Sequence, residues 1–156
     1  MTLDIFDWTL LAVLSMVPFW EGRYTIPMAI RMGADPLSAY LWCAAFNILA
    51  SPLIFFSLRV VYTRWLCHIA PVRAIYEACV RRVSSKNSKV LERWQELGLI
   101  VFVAIPVPVT GVWTATLLSW LFQLDERKSI LVIGTGVLIA CAITTLATLG
   151  VLSIYA

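Results

Sequence analysis

Residues 104–117 read AIPVPVTGVWTATL, and they lie inside a stretch, Leu97 to Leu124, that carries no Asp, Glu, Lys or Arg. An uncharged run of that length reads as one membrane-crossing helix, which needs about 20 apolar residues. Pro106 and Pro108 argue against continuity, because each removes a helix hydrogen bond and clashes with the turn before it. The arm ahead of them, Leu99 to Ile105, covers only about 10 Å as a helix, roughly a third of a hydrocarbon core of ~30 Å. Non-helical backbone at that depth is tolerated only where protein or a wet cavity surrounds it. The stretch therefore reads as the tip of a re-entrant hairpin, with one proline-kinked spanning helix as the alternative.

The rest of the chain fits a membrane setting. Of 156 residues, 61% are hydrophobic and 13% charged, and mean hydropathy is +0.87, against about 25% charged residues in soluble domains. Pro36 to Leu58 and Ser129 to Ala156 are also free of charged side chains, whereas the run Trp8 to Trp20 is too short to span. Asp4 and Asp7 stand where a signal peptide would be basic, so none is expected. The four cysteines lack metal-ligand spacing; Cys43 and Cys141 read as small core residues, and neither metal nor cofactor is expected.

The first half repeats the pattern of the second. Pro18 ends an apolar arm, Glu21-Gly22-Arg23 follows, and Pro27 is expected to open a second arm reaching Gly33. Between the halves, Arg59 to Glu96 holds eight basic residues against Glu77, Glu92 and Glu96. Within it Val72, Ile75, Tyr76, Cys79, Val80 and Val83 form a helical apolar stripe, as in a helix lying on a membrane surface. Basic loops favour the cytoplasm. Two re-entrant hairpins put the basic middle and the Asp125–Lys128 loop inside and both termini outside; four full spans put acidic Asp4 and Asp7 inside and Arg127-Lys128 outside.

The expected fold is thus an all-α integral membrane protein, an inverted repeat of re-entrant helical hairpin plus transmembrane helix with a central cytoplasmic amphipathic helix. The first repeat is 1–62 (hairpin 5–33, span 36–62), the linker 63–96, and the second repeat 97–156 (hairpin 97–124, span 129–152). The expected location is the plasma membrane, multi-pass.

Candidate site residues cluster at the two tips. Charges near a bilayer midplane usually face a cavity or a partner. Glu21 suits a proton-accepting carboxylate and Arg23 an anion clamp, its planar fork matching phosphate or carboxylate; alternatively both snorkel outward at the interface. Thr110 and Thr25 are expected to cap the second arms of the two hairpins, leaving half-helix N-termini aimed at one pocket; plain capping needs no ligand. Trp20 and Trp113 either line that pocket or pack it. Asn47 is a helix–helix contact that also lies where it can face a tip. Gly136, Ala140, Thr144 and Thr148 repeat every four residues, a small face suited to close packing.

At these residues the chain resembles the small multidrug export protein family, distantly related to the DedA and VTT membrane proteins. Glu21-Gly22-Arg23-Tyr24-Thr25-Ile26-Pro27 is similar to the family's E-x-R-x-x-I-P, and Pro106 to Thr114 to its P-x-P-G-T-G-x-W-T. Val109 departs where glycine is usual; a β-branched residue resists positive φ, which leaves Gly111 to supply any such turn. The resemblance implies two facing re-entrant hairpins and a transport or lipid-translocation role. It carries over Glu21, Arg23, Pro27, Pro106, Pro108, Thr110, Gly111 and Trp113.

The functional expectation is a transporter or flippase for an anionic or amphiphilic substrate, a lipid phosphate such as a polyprenyl-phosphate carrier or phospholipid, with proton coupling. A drug or metabolite exporter on the same scaffold and a non-transporting scaffold are the alternatives. An enzyme is not expected, since the sequence offers no His cluster and no serine with a base. Expected partners are membrane lipids, the substrate, protons and a second copy of the chain, because two spans leave two hairpins facing lipid; nucleic acid is not expected.

Overall fold

The computed structural model describes residues 3–18, 20–65, 68, 77, 89–105 and 110–155. Among them are six helices and no strand: α1 (Ile5–Met16), α2 (Glu21–Arg31), α3 (Pro36–Arg64), α4 (Lys89–Ala104), α5 (Val112–Leu121) and α6 (Glu126–Tyr155). The expected central amphipathic helix, Pro106, Pro108 and Val109 lie outside the described residues.

Two helices are long and apolar. Pro36–Arg64 and Glu126–Ile154 each run 29 residues, with mean hydropathy 1.8 and 2.4 over an 18-residue apolar stretch of each, about 43 Å of helix against a hydrocarbon core of ~30 Å. They pack antiparallel: Ile48 lies against Gly134, and Arg59 of the α3 end meets Glu126 of the α6 start at 2.6 Å. The other helices are short, 12 residues in α1 and 10 in α5.

Each long helix is launched by the same device. Asp35 accepts from the Ser38 N–H and Pro36 takes the first turn, where its missing donor goes unneeded. Asp125 accepts from the Lys128 N–H in the same way. The turns feeding these caps also match. Gly33 N–H bonds Ile30 C=O and Ala34 N–H bonds Ala29 C=O, a Schellman closure of α2. Gln123 to Trp120 and Leu124 to Ser119 close α5 with the same two bonds. Gly33 takes φ 97° and Gln123 φ 54°. The buried stripes correspond too: Gly22, Thr25, Ile26 and Ala29 on α2, and Val112, Ala115, Thr116 and Ser119 on α5.

Small side chains at the helix contacts let backbones approach closely where no hydrophobic effect drives them together. A Cβ on Gly136 would lie 2.7 Å from Val103 Cβ, so α4 presses on α6 at that glycine. A Cβ on Gly22 would lie 2.7 Å from Cys141 Sγ, so α2 presses on α6 there. Outside this core the surface is apolar: Ile5, Phe6, Leu131, Leu146 and Ile154 are all at least 70% exposed. A monomer in water rarely exposes so much apolar surface; lipid accepts it.

Two sequence expectations change. Pro27 does not open the second arm. That arm starts at Glu21, and Pro27 sits inside it, in the second turn. The linker expected to end at residue 96 and the arm expected from Leu97 are joined in one continuous helix, α4, of 16 residues.

The two turns predict opposite responses. Left-handed backbone costs a side-chain-bearing residue about 1–2 kcal/mol, so Gly33→Ala should lower thermal stability in detergent. Gln123→Gly should raise it by a smaller margin, since glycine's entropy offsets part of the gain.

Candidate functional site at the crossing of two broken helices

A helix that stops inside an apolar body strands carbonyls at its end, and one that starts there strands N–H groups. The chain does this twice, between Met16 and Glu21 and between Ala104 and Val112. The two breaks meet, and each supplies what the other lacks.

Glu21 reaches from the first break to the second. Its carboxylate accepts from the backbone N–H groups of Val112 and Trp113, the first residues of α5, the arrangement favoured for an anion at a helix N-terminus. Arg23 serves the opposite polarity. Its Nη2 donates to Val103 C=O at 3.2 Å, near the end of α4, and to Thr110 C=O at 2.7 Å; its Nη1 donates to Thr110 Oγ1 at 3.2 Å. From the other side, Trp113 Nε1 donates to Met16 C=O, the last residue of α1, at 2.9 Å. The Arg23 Nε and Glu21 Oε2 atoms are 4.0 Å apart, with the two side chains 10% and 8% exposed.

Gly111 is what allows the approach. A Cβ there would collide with both oxygens and the carboxyl carbon of Glu21. Its φ of −98° is ordinary extended backbone, which corrects the expectation that it supplies a positive-φ turn. The left-handed residue is Glu21 itself, at φ 42°, a conformation that needs surrounding contacts to hold it.

The capping expectations for the threonines are also corrected. The N-cap of α5 is Gly111, with no side-chain cap bond; Glu21 takes that role from across the break. Thr110 Oγ1 instead donates to Ile105 C=O at 2.8 Å while accepting from Arg23, which ties the second break to itself. Thr25 lies within α2, not at its start. Its hydroxyl donates to Glu21 C=O at 2.8 Å and lies 2.9 Å from Ser15 Oγ, and the Cys43 thiol joins the same two hydroxyls.

Asn47 faces this region from α3. Its Nδ2 lies 3.4 Å from where a Gly22 Cβ would stand; the residue is 4% exposed, and its Oδ1 has no hydrogen-bond partner among the described residues. Trp20 and Trp113 sit at the rim, 48% and 39% exposed. Pro27 lines a separate groove between α2 and α6. The structure thus gathers Glu21, Arg23, Thr110, Gly111 and Trp113 at the crossing, sets Thr25 and Asn47 beside it, and leaves Pro27 a turn away.

Sequence reasoning missed Met16, Val103, Ser15 and Cys43. The first two act through backbone carbonyls, which no side-chain motif announces. Ser15 carried a usable signal: a small hydroxyl in the apolar arm before Pro18.

The fold and this crossing define a class: a helical membrane protein whose two broken helices complete one another through a buried carboxylate and a buried guanidinium. The chain belongs to the family described as "Putative small multi-drug export protein", whose sequence profile matches residues 21–143. The match opens on Glu21, where the first break ends, and takes in the whole of the second. Neither a curated protein nor a solved structure matches the chain at a significant level.

The steric account of Gly111 is testable by a double-mutant cycle. Gly111→Ala should be strongly destabilising in the native background. In the Glu21→Ala background, where the colliding carboxylate is gone, it should cost little. A coupling of about 1–3 kcal/mol is expected, as for residues in contact, read from thermal or denaturant unfolding in detergent; additive effects would reject the contact.

Proposed function

We propose that this protein is a secondary transporter that moves an anionic or amphiphilic substrate across the membrane, a lipid phosphate fitting that description, together with a proton carried on Glu21. The observation that carries the reading is the carboxylate of Glu21 on the α5 N-terminus, beside Arg23, in an apolar body. That position is an anion site occupied by the protein's own side chain. Protonating Glu21 removes the negative charge that holds it to the Val112 and Trp113 N–H groups. The freed donors and Arg23 then accept the substrate's anion, and loss of the proton returns Glu21 and expels the cargo. Exclusive occupancy of one site by either carboxylate or substrate couples the two fluxes.

Two structural features support the wider architecture of this proposal. The matching Schellman turns and aspartate caps suit an inverted repeat, each unit a re-entrant hairpin followed by a spanning helix, with the broken helices forming the site as they do in many transporters. The basic Arg59–Glu96 stretch then lies in the cytoplasm and both termini outside, in the plasma membrane. The exposed apolar faces of α1 and α6 suit a dimer. The family description favours a second reading, export of small drugs or metabolites from the same scaffold. A non-transporting scaffold is the third.

The decisive test is Glu21→Gln in proteoliposomes. It should abolish pH-driven uptake while leaving the purified protein folded; unchanged flux would remove Glu21 from the mechanism. Polyprenyl phosphate should compete with the substrate in the first reading and lipophilic cations in the second, while a scaffold shows no flux and tolerates changes at Glu21 and Arg23.

Single cysteines at Asp4, Gly33, Leu146 and Gln123 test architecture and assembly together. With re-entrant hairpins, Asp4 and Gly33 label from one membrane face and Gln123 from the other, and Leu146 cross-links between copies. Asp4 and Gly33 on opposite faces would end the hairpin reading, and failure to cross-link in mild detergent, at Leu146 or through surface lysines, would end the dimer.

A further inference from the structure

Beside the crossing, a groove of about 710 Å³ runs between α2 and α6. Its walls are Tyr24 and Pro27 on one side and Ile143, Ala147, Val151 and Leu152 on the other. Thr144 and Thr148 also line it, but their hydroxyls donate back to Ala140 C=O and Thr144 C=O at 2.9 and 2.7 Å, so they present an apolar wall. Arg23 stands at one end and Arg31 at the other, about 12 Å apart along the helix. Among the described residues, no acidic side chain lines the groove.

The two arginines are not equivalent. Arg23 is nearly buried and already donates to Val103 C=O and to the carbonyl and hydroxyl of Thr110. Arg31 is exposed in the last turn of α2, and its side chain makes no ion pair among the described residues. The groove therefore presents an apolar trough with a cation at its outer end. Its volume lies within the roughly 300–1,000 Å³ of small-ligand sites, room enough for a hydrocarbon chain. A second cavity, about 430 Å³ between the ends of α3 and α5, has opposite features: its Arg59 is engaged by Glu126 at 2.6 Å, so it offers no spare cation.

We infer that the α2/α6 groove binds a single-chain amphiphile with an anionic head, the head on Arg31 and the chain along Ala147 and Val151 toward Tyr24 and Pro27. The inference deepens the transport reading by naming where cargo docks before it reaches Glu21 and Arg23. Binding and transport remain separable. A headgroup on Arg31 lies at the end of α2, away from the crossing, and needs no movement of Glu21.

The test is photo-crosslinking in nanodiscs of zwitterionic lipid. The probe is an alkyl phosphate with one twelve-carbon chain and a diazirine near the chain end, and labelled peptides are identified by mass spectrometry. Labelling should concentrate on residues 143–152 and 24–27. Arg31→Gln should reduce it about tenfold, the loss expected of one charge-assisted hydrogen bond. Thr148→Trp, which fills the trough from the lipid-facing side without touching the crossing, should abolish it. An alkyl trimethylammonium of equal chain length should not compete. Labelling spread evenly over the lipid-facing side of α3, labelling undiminished in Thr148→Trp, or equal competition by the cation would each overturn the assignment. Flux measured on the same variants separates the two ideas. Groove labelling with no flux in the native protein upholds the groove and ends the transport reading, whereas full flux in Thr148→Trp ends the groove's role and leaves transport standing.

Discussion

Two helices that stop inside an apolar body leave backbone groups that neither lipid nor side chains of their own segment satisfy, and the rest of the molecule is arranged around that debt. Glu21 answers the N–H groups of α5, Arg23 answers carbonyls at the end of α4 and at Thr110, and Trp113 answers the last carbonyl of α1. An unpaired buried backbone group costs several kcal/mol in a medium without water. Neither break is tenable alone, so the two are obliged to form against each other. This constraint explains why a carboxylate and a guanidinium are kept in a chain that otherwise concentrates its charge in loops and in the middle.

The same constraint sets what the neighbours are. Glu21 reaches α5 only because Gly111 has no side chain, and α2 lies close enough to α6 only because Gly22 has none. Ser15, Thr25 and Cys43 hold the start of α2 from behind through short hydroxyl and thiol contacts. Residues that look unrelated in the sequence therefore serve one local geometry, and a change at any of them is felt at the carboxylate.

Much of this was legible from the chain. The uncharged runs announced α3 and α6, the prolines announced the breaks, and Glu21 with Arg23 stood out as charges in apolar surroundings. What was not legible is instructive. Reading Pro27 as a helix start followed the rule that proline favours a first turn, but α2 begins six residues earlier, fixed by the tertiary contact of Glu21. Assigning the caps to Thr110 and Thr25 followed local preference; the actual partner lies ninety or so residues away, and side-chain reach across a break leaves no periodic signal. Gly111 was noticed for the wrong property, because a sequence shows that a side chain is missing but not which neighbour needs the space.

The contact between Gly22 and Cys141 has a practical consequence. The sulfur is sealed beneath the first turn of α2, with its residue 1% exposed. A thiol so placed is a native gauge of whether the two elements ever part: a small alkylating reagent reaches it only during excursions that lift α2 away. Its modification rate, followed under conditions that change occupancy of the crossing, converts an internal rearrangement into a chemical clock that needs no engineered label.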